Sequence, residues 1–183
     1  MTRLTVIAGP TAVGKGTVVR YLLEHNPEIQ VSVSATTRSP RVGETNGVEY
    51  FFVSNEEFDQ MIENDELLEY ATVHLNNRYG TPRGPVESAL AAEKQIILEI
   101  DIQGAEQVKA SMPEANLIFI APPSLEELKK RLVGRGTETP EEIAIRLETA
   151  EIEMASQGLF DHVVVNHEVA QCAQEVLDLM QSS

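Results

Sequence analysis

One nine-residue stretch constrains this chain more than any other. Gly9-Pro10-Thr11-Ala12-Val13-Gly14-Lys15-Gly16-Thr17 stands between the apolar run Leu4 to Ala8 and the helix-like Val18-Val19-Arg20-Tyr21-Leu22-Leu23. Its glycines allow tight turning, so that successive backbone N–H groups converge on an anion. The following helix adds the positive end of its dipole, and Lys15 adds a point charge suited to the β- and γ-phosphates of a nucleotide. All nine residues are therefore candidates for phosphate binding.

The remainder of the chain continues the rhythm that this opening sets. Ile96 to Ile100, Leu117 to Ala121 and Val163 to Val165 are short apolar runs without polar alternation, and Val31 to Ser34 is a further candidate. Such runs read as buried parallel strands with crossover helices between them. The expected class is α/β, a parallel sheet core flanked by helices. Ser54 with Glu57, and Ser124 with Glu127, form capping boxes; Thr139 caps a third helix with Pro140 at its first position and Glu142 three residues on. Between the last two helices lies Gly134-Arg135-Gly136-Thr137, the tip of a movable lid or of a plain helical hairpin.

Residues 36 to 84 break the rhythm. Val48 to Val53 reads as a strand, and Asn76-Asn77 as a hairpin turn between Glu69–Val73 and Arg78–Thr81. A small β-rich insertion is expected there. Val169, Cys172, Val176, Leu177 and Met180 mark a closing amphipathic helix, with Cys172 as a buried small hydrophobe.

Composition excludes some functions. A net charge of −15 over 183 residues disfavours nucleic-acid binding, which needs a basic face. It leaves room for small phosphorylated ligands held by local cations. No run reaches the roughly 18 apolar residues of a membrane span. With one cysteine and no room for a leader before Leu4, a cytoplasmic setting is expected. The four histidines show no metal-ligand spacing.

The loop departs from its strict pattern at one place. Where Ser or Thr follows the lysine to bind Mg²⁺, this chain has Gly16, with Thr17 one further on. Gly-Lys-Gly-Thr resembles the loop of adenylate kinases. That resemblance implies Mg²⁺ held by nucleotide phosphates and water, with the part of Thr17 left open.

Three further stretches carry a resemblance to one family. Ser32 to Glu44, continuing through Asn46-Gly47-Val48-Glu49-Tyr50-Phe51-Phe52, is similar to the signature of guanylate kinases, with Thr-Thr-Arg, a second Arg, an acid, then Gly and Tyr in register. Ile97-Leu98-Glu99-Ile100-Asp101-Ile102-Gln103-Gly104 resembles the family's second acidic strand. Phe119 to Ser124, leading to Arg131 and Gly134–Thr139, resembles its lid. The resemblance runs from about Leu4 to Asn166. It implies a P-loop NTPase fold with core segments 1–33, 85–125 and 148–183, a GMP-binding region at 34–84 and a lid at 126–147.

The resemblance also implies roles. Arg38 and Arg41 would clamp the GMP phosphate, with Glu44 beside them and hydroxyls from Tyr50 and Tyr79; guanidinium forks suit phosphate oxygens. Glu69 would accept from guanine N1–H and the 2-amino group, an edge adenine lacks, which supports discrimination of about 10⁴-fold. Ser34, Thr81 and Asp101 match the remaining guanine and ribose positions. Arg131, Arg135 and Arg146 would arrive with the lid and neutralise the transferring group. The implied activity is in-line transfer of the ATP γ-phosphoryl to GMP, and to dGMP, with ATP, GMP and Mg²⁺ as partners and a monomer or small homo-oligomer as the assembly. Two rivals remain: a related small-molecule kinase, and a catalytically inactive guanylate-kinase-like module that binds proteins.

Overall fold

The structure, a computed structural model, describes residues 4–72, 77–135 and 139–182. Strand β1 (Leu4–Ala8) is buried along its whole length, as a strand covered on both faces must be. It pairs in parallel with β7 (Gln95–Glu99) on one side and β8 (Asn116–Ala121) on the other. Beyond these lie β2 (Ile29–Val31) and β9 (His162–Val165), giving the order β2-β7-β1-β8-β9, all parallel.

Alternation along the central strands sorts side chains into two cores, one per face. Ile7, Ile97, Ile118 and Ile120 face α1 (Lys15–His25) and α7 (Val169–Ser182), meeting Val18, Leu22, Cys172, Val176 and Met180. Val6, Leu98, Leu117 and Phe119 face α3 (Arg83–Ala91) and α4 (Ile102–Ser111), meeting Val86, Ala105 and Val108. Cys172 is buried, as its helical phase required.

The expected insertion forms a second, mixed sheet. Its strands β3 (Ala35–Thr36), β4 (Phe51–Phe52), β5 (Leu67–Thr72) and β6 (Arg78–Pro82) lie in the order β4-β3-β6-β5. Helix α2 (Asn55–Glu63) covers it, with Phe58 packed against Ala35 and Leu67. Gln107 of α4 joins this sheet to the main body, accepting from Tyr70 N–H at 3.1 Å and donating to Tyr70 C=O at 2.9 Å.

Two strand expectations need correction. The candidate at Val31–Ser34 is split: Ser32 N–H still donates to Ile97 C=O at 2.9 Å, after which the chain leaves the main sheet and β3 starts at Ala35. The strand expected over Val48–Val53 shrinks to Phe51–Phe52. Val48 N–H is drawn into a turn on Thr45 C=O at 3.1 Å, Gly47 takes φ +81°, and Val48 is 63% exposed. The hairpin pairs as expected over the described residues; Val73 and the Asn76 half of its turn lie outside them.

The segment expected as a lid, 126–147, falls on α5 (Leu125–Arg135) and the first half of α6 (Pro140–Ala155). Thr139 and Glu142 complete a reciprocal cap, as do Ser54 and Glu57. At Ser124 the hydroxyl accepts from Glu127 N–H at 3.1 Å, while the Glu127 carboxylate turns toward Arg131 Nε at 3.6 Å. The division at 147/148 falls inside α6, whose Ala150 is buried in the main core. Gly136 and Thr137, and the side chain of Arg135, lie outside the described residues.

Candidate active site

The loop after β1 leaves the sheet where neighbouring backbone crowds it. A Cβ on Gly9 would stand 2.2 Å from Ile120 C=O, so only glycine fits there. Gly14 takes φ +98° and caps α1, placing Lys15 at the first helical residue. Lys15 Nζ bends back over the loop onto Gly9 C=O, with Pro10 C=O at 3.4 Å. Gly14, Gly16, Thr17 and Arg20 line a recess of about 350 Å³ at this loop, and Lys15 and Glu99 open on to it too.

A larger cleft of about 520 Å³ adjoins it, a size suited to a small organic ligand. Gly9, Thr11 and Lys15 form one end; Ser34, Arg38, Arg41, Tyr50, Glu69, Tyr79 and Asp101 form the other. Lys15 thus shares a single cleft with most of the residues expected to hold the acceptor. The cleft lies at the carboxyl ends of β1 and β7, the usual binding edge of an open α/β sheet.

At the proposed acceptor end one arginine is already paired with a carboxylate. Arg38 makes a bidentate bond to Glu44, Nη1 and Nη2 each at 2.9 Å, and a third bond to Ser39 C=O at 2.8 Å. Tyr50 and Phe52 present ring faces to the guanidinium at 5.3 and 5.7 Å. Glu44 also accepts from Arg41 N–H at 2.6 Å. Its bonds to Arg38 hold the Glu44 carboxyl below the ordinary range. Glu44 therefore holds the Arg38 guanidinium and the backbone of Arg41 together.

Glu69 lies deepest, 5% exposed, where β5 meets β6 and α4. The Thr81 hydroxyl donates to its Oε1 at 2.7 Å. Burial pushes the Glu69 carboxyl up to about 7; the Thr81 bond opposes this and the Asp101 charge adds to it. Asp101 caps α4, accepting from Gly104 N–H at 2.7 Å. A Cβ on Gly104 would stand 2.7 Å from Glu69 Oε2, so the absence of a side chain there makes room for this carboxylate.

The lid arginines are placed differently from the rest. Arg131 is anchored on backbone, Nη1 to Val13 C=O at 3.1 Å and Nη2 to Asn166 C=O at 3.0 Å. Arg146 is half-buried on α6, and neither it nor Arg131 lines the cleft.

Two cleft carboxylates were missed in the sequence. Glu99 ends β7 opposite Ile7, and its Oε1 would stand 3.3 Å from a Gly16 Cβ. Although Glu99 is exposed overall, the cleft walls desolvate its carboxyl end and raise its pKa, against the pull of Lys15. An acid closing the second acidic strand was the signal that could have found it. Glu153 reaches the cleft from α6, where Thr11 also lines it, with Oε2 buried and unpartnered; burial raises its pKa against the pull of Lys15. No local pattern in α6 announces it. Among the described residues no three His, Cys, Asp or Glu side chains cluster as a metal cage, and no helix is long and apolar enough to cross a membrane.

Comparison with known proteins agrees with this geometry. The family model described as guanylate kinase matches residues 1–183. The guanylate kinase of Leifsonia xyli subsp. xyli is 62% identical over 177 residues, covering 97% of this chain and 70% of the relative. That of Thermobifida fusca is 56% identical, covering 97% and 90%. A crystal structure of guanylate kinase from Anaplasma phagocytophilum superposes with a TM-score of 0.78 at 34% identity, covering 98% of this chain and 84% of that one. A strand-loop-helix opening, a side-chain-lined second sheet and a two-helix lid segment thus come together in one matched chain, which belongs to the guanylate kinase family.

Proposed function

We propose that this protein transfers the γ-phosphoryl group of ATP to GMP, giving ADP and GDP. The observation that carries the reading is the shared cleft: the Lys15 loop closes one end, while Arg38, Arg41 and Glu69 stand at the other. A phosphate oxygen is the nucleophile and is already ionised near neutral pH. No general base is needed, and catalysis reduces to alignment and charge stabilisation.

In this reading the amides of Gly14 to Thr17 and the Lys15 ammonium hold the donor phosphates. Arg38 and Arg41 hold the acceptor phosphate, with Tyr50 and Tyr79 donating hydroxyl hydrogen bonds. Binding GMP phosphate there means sharing Arg38 with Glu44, which keeps the guanidinium oriented before substrate arrives. Ser34, Thr81 and Asp101 complete the guanine and ribose contacts around Glu69. Arg146 and Arg135 reach the transferring group as the lid closes, whereas Arg131 works from its backbone anchor.

Mg²⁺ bound with ATP would offset phosphate charge. In this reading the metal is held mainly by the nucleotide phosphates and water. Glu99, beside Gly16, is the carboxylate suited to hold its waters, and the exposed Thr17 supplies a hydroxyl nearby. The setting is the cytoplasm. The protein-binding-module alternative is not favoured, because Lys15, both acceptor arginines and Glu69 are all in place.

The test is ADP release with ATP, Mg²⁺ and each of GMP, AMP, UMP and CMP. Turnover with GMP far above the others is expected. No turnover with any acceptor, in folded protein, would overturn the reading.

A further inference from the structure

The carbonyl of Val13 receives two side-chain donors from distant parts of the chain, Asn166 Nδ2 at 2.8 Å and Arg131 Nη1 at 3.1 Å. Neither bond is needed to close the loop, since Val13 N–H already turns back onto Pro10 C=O at 3.3 Å. The Val13 side chain is fully buried among the α1 and α7 residues. Asn166 itself is 2% exposed and tied three ways. Its N–H donates to Ala121 C=O at 2.8 Å, its C=O accepts from Arg131 at 3.0 Å, and its side-chain amide reaches the loop.

A buried amide used in this way has a geometric consequence. In a trans peptide, C=O and the next N–H point in opposite directions. Pinning Val13 C=O on the core side therefore fixes Gly14 N–H on the other, toward the recess that Gly14 and Gly16 line. Gly14 fits the arrangement twice over. It takes φ +98°, and a Cβ there would stand 2.7 Å from Asn166 Nδ2. Arg131, in the second half of α5, adds the same hold from a helix distant in the chain.

We propose that Asn166 is a positioning residue for the phosphate loop: with Arg131 it clamps the Val13–Gly14 peptide so that Gly14 N–H is presented to the phosphates of the donor nucleotide. The same clamp ties the loop to the first lid helix. The inference rests on the reading of this loop as the ATP site.

The test is calorimetric binding of ATP and, separately, of GMP to the unsubstituted protein, Asn166→Asp and Asn166→Ala. Asn166→Asp keeps the size of the side chain and both backbone bonds but replaces the donor with an acceptor. The Kd for ATP should rise about tenfold or more and that for GMP stay within about twofold, the scale of one mis-set hydrogen bond in a buried site. Asn166→Ala should show the same split with a smaller rise, and stands in if the Asp variant does not fold. Equal weakening of both ligands would assign Asn166 a merely structural role, and unchanged binding of both would leave the clamp without effect; either overturns the proposal. If the unsubstituted protein bound GMP but not ATP, the loop assignment itself would fall.

Discussion

The two ends of the cleft are built from different parts of the chain. At the proposed donor end, one contiguous segment, residues 9 to 17, lies at the carboxyl edge of the parallel sheet between β1 and α1. At the acceptor end, side chains converge from β5, β6, the loop between β3 and β4, and the start of α4. Several are held by their neighbours: Glu44 holds the Arg38 guanidinium and the Arg41 backbone, Thr81 holds Glu69, and Gly104 leaves room for it. Backbone recognition suits a phosphate chain common to every nucleotide, whereas side-chain recognition suits the one base that must be distinguished. The donor end is therefore expected to fail through loss of charge, and the acceptor end through loss of arrangement.

Lys15→Ala should break the donor end most severely. A fall in kcat of about 10³-fold is expected, the scale of removing one preorganised stabilising group, with thermal unfolding shifted by only a few degrees. Steady-state kinetics beside a thermal melt check it; undiminished turnover would sink the donor assignment. Glu69→Gln should break the acceptor end, raising KM for GMP by about 100-fold and leaving KM for ATP near its original value. Equal effects on both substrates would remove Glu69 from the guanine site.

Gly104→Ala sharpens the contrast, because Gly104 is not itself a proposed ligand residue, yet its added Cβ would press on Glu69 Oε2 and crowd Asp101 Oδ1. KM for GMP is expected to rise about tenfold with ATP unaffected, as a buried carboxylate is pushed off its partners. A variant with unchanged GMP kinetics would show that the Glu69 position tolerates movement.

The smallest expected effect is in pH. Burial places Glu69 at about 7 against an ordinary 4.5, so its protonated form favours the folded, ligand-free protein. That contribution is present below about pH 4.5 and is lost as pH rises through about 7, up to about 3 kcal/mol. GMP requires the carboxylate, so KM for GMP should move the opposite way, falling severalfold between about pH 6 and 8. Glu69→Gln should flatten both profiles, which melts and kinetics across that range will report.

The same contrast explains what was legible in the sequence. The donor loop, the buried strands and the caps at Ser54 and Thr139 are local, so pattern alone placed them. Glu69, Thr81 and Asp101 are separated along the chain and were named only through family resemblance; nothing local marks Glu69 as 5% exposed. Val48 reads as strand because it is β-branched and leads into Tyr50-Phe51-Phe52, but the turn at Thr45–Val48 takes its N–H. Asn166 and Glu153 were invisible because the loop residues they meet, Val13 for one and the cleft lining around Thr11 for the other, lie more than a hundred residues away. Arg131 was expected to arrive with the lid; its bonds to the Val13 and Asn166 carbonyls had no local signal, because only the packing of α5 against the loop decides them.

The central claim is that donor and acceptor occupy one cleft at the same time. Titration with adenosine and guanosine joined through a five-phosphate bridge tests it directly. One molecule should bind per chain, more tightly than either nucleotide alone, and ATP and GMP should each compete with it. Competition by only one of them, or binding no tighter than the better single nucleotide, would contradict the account.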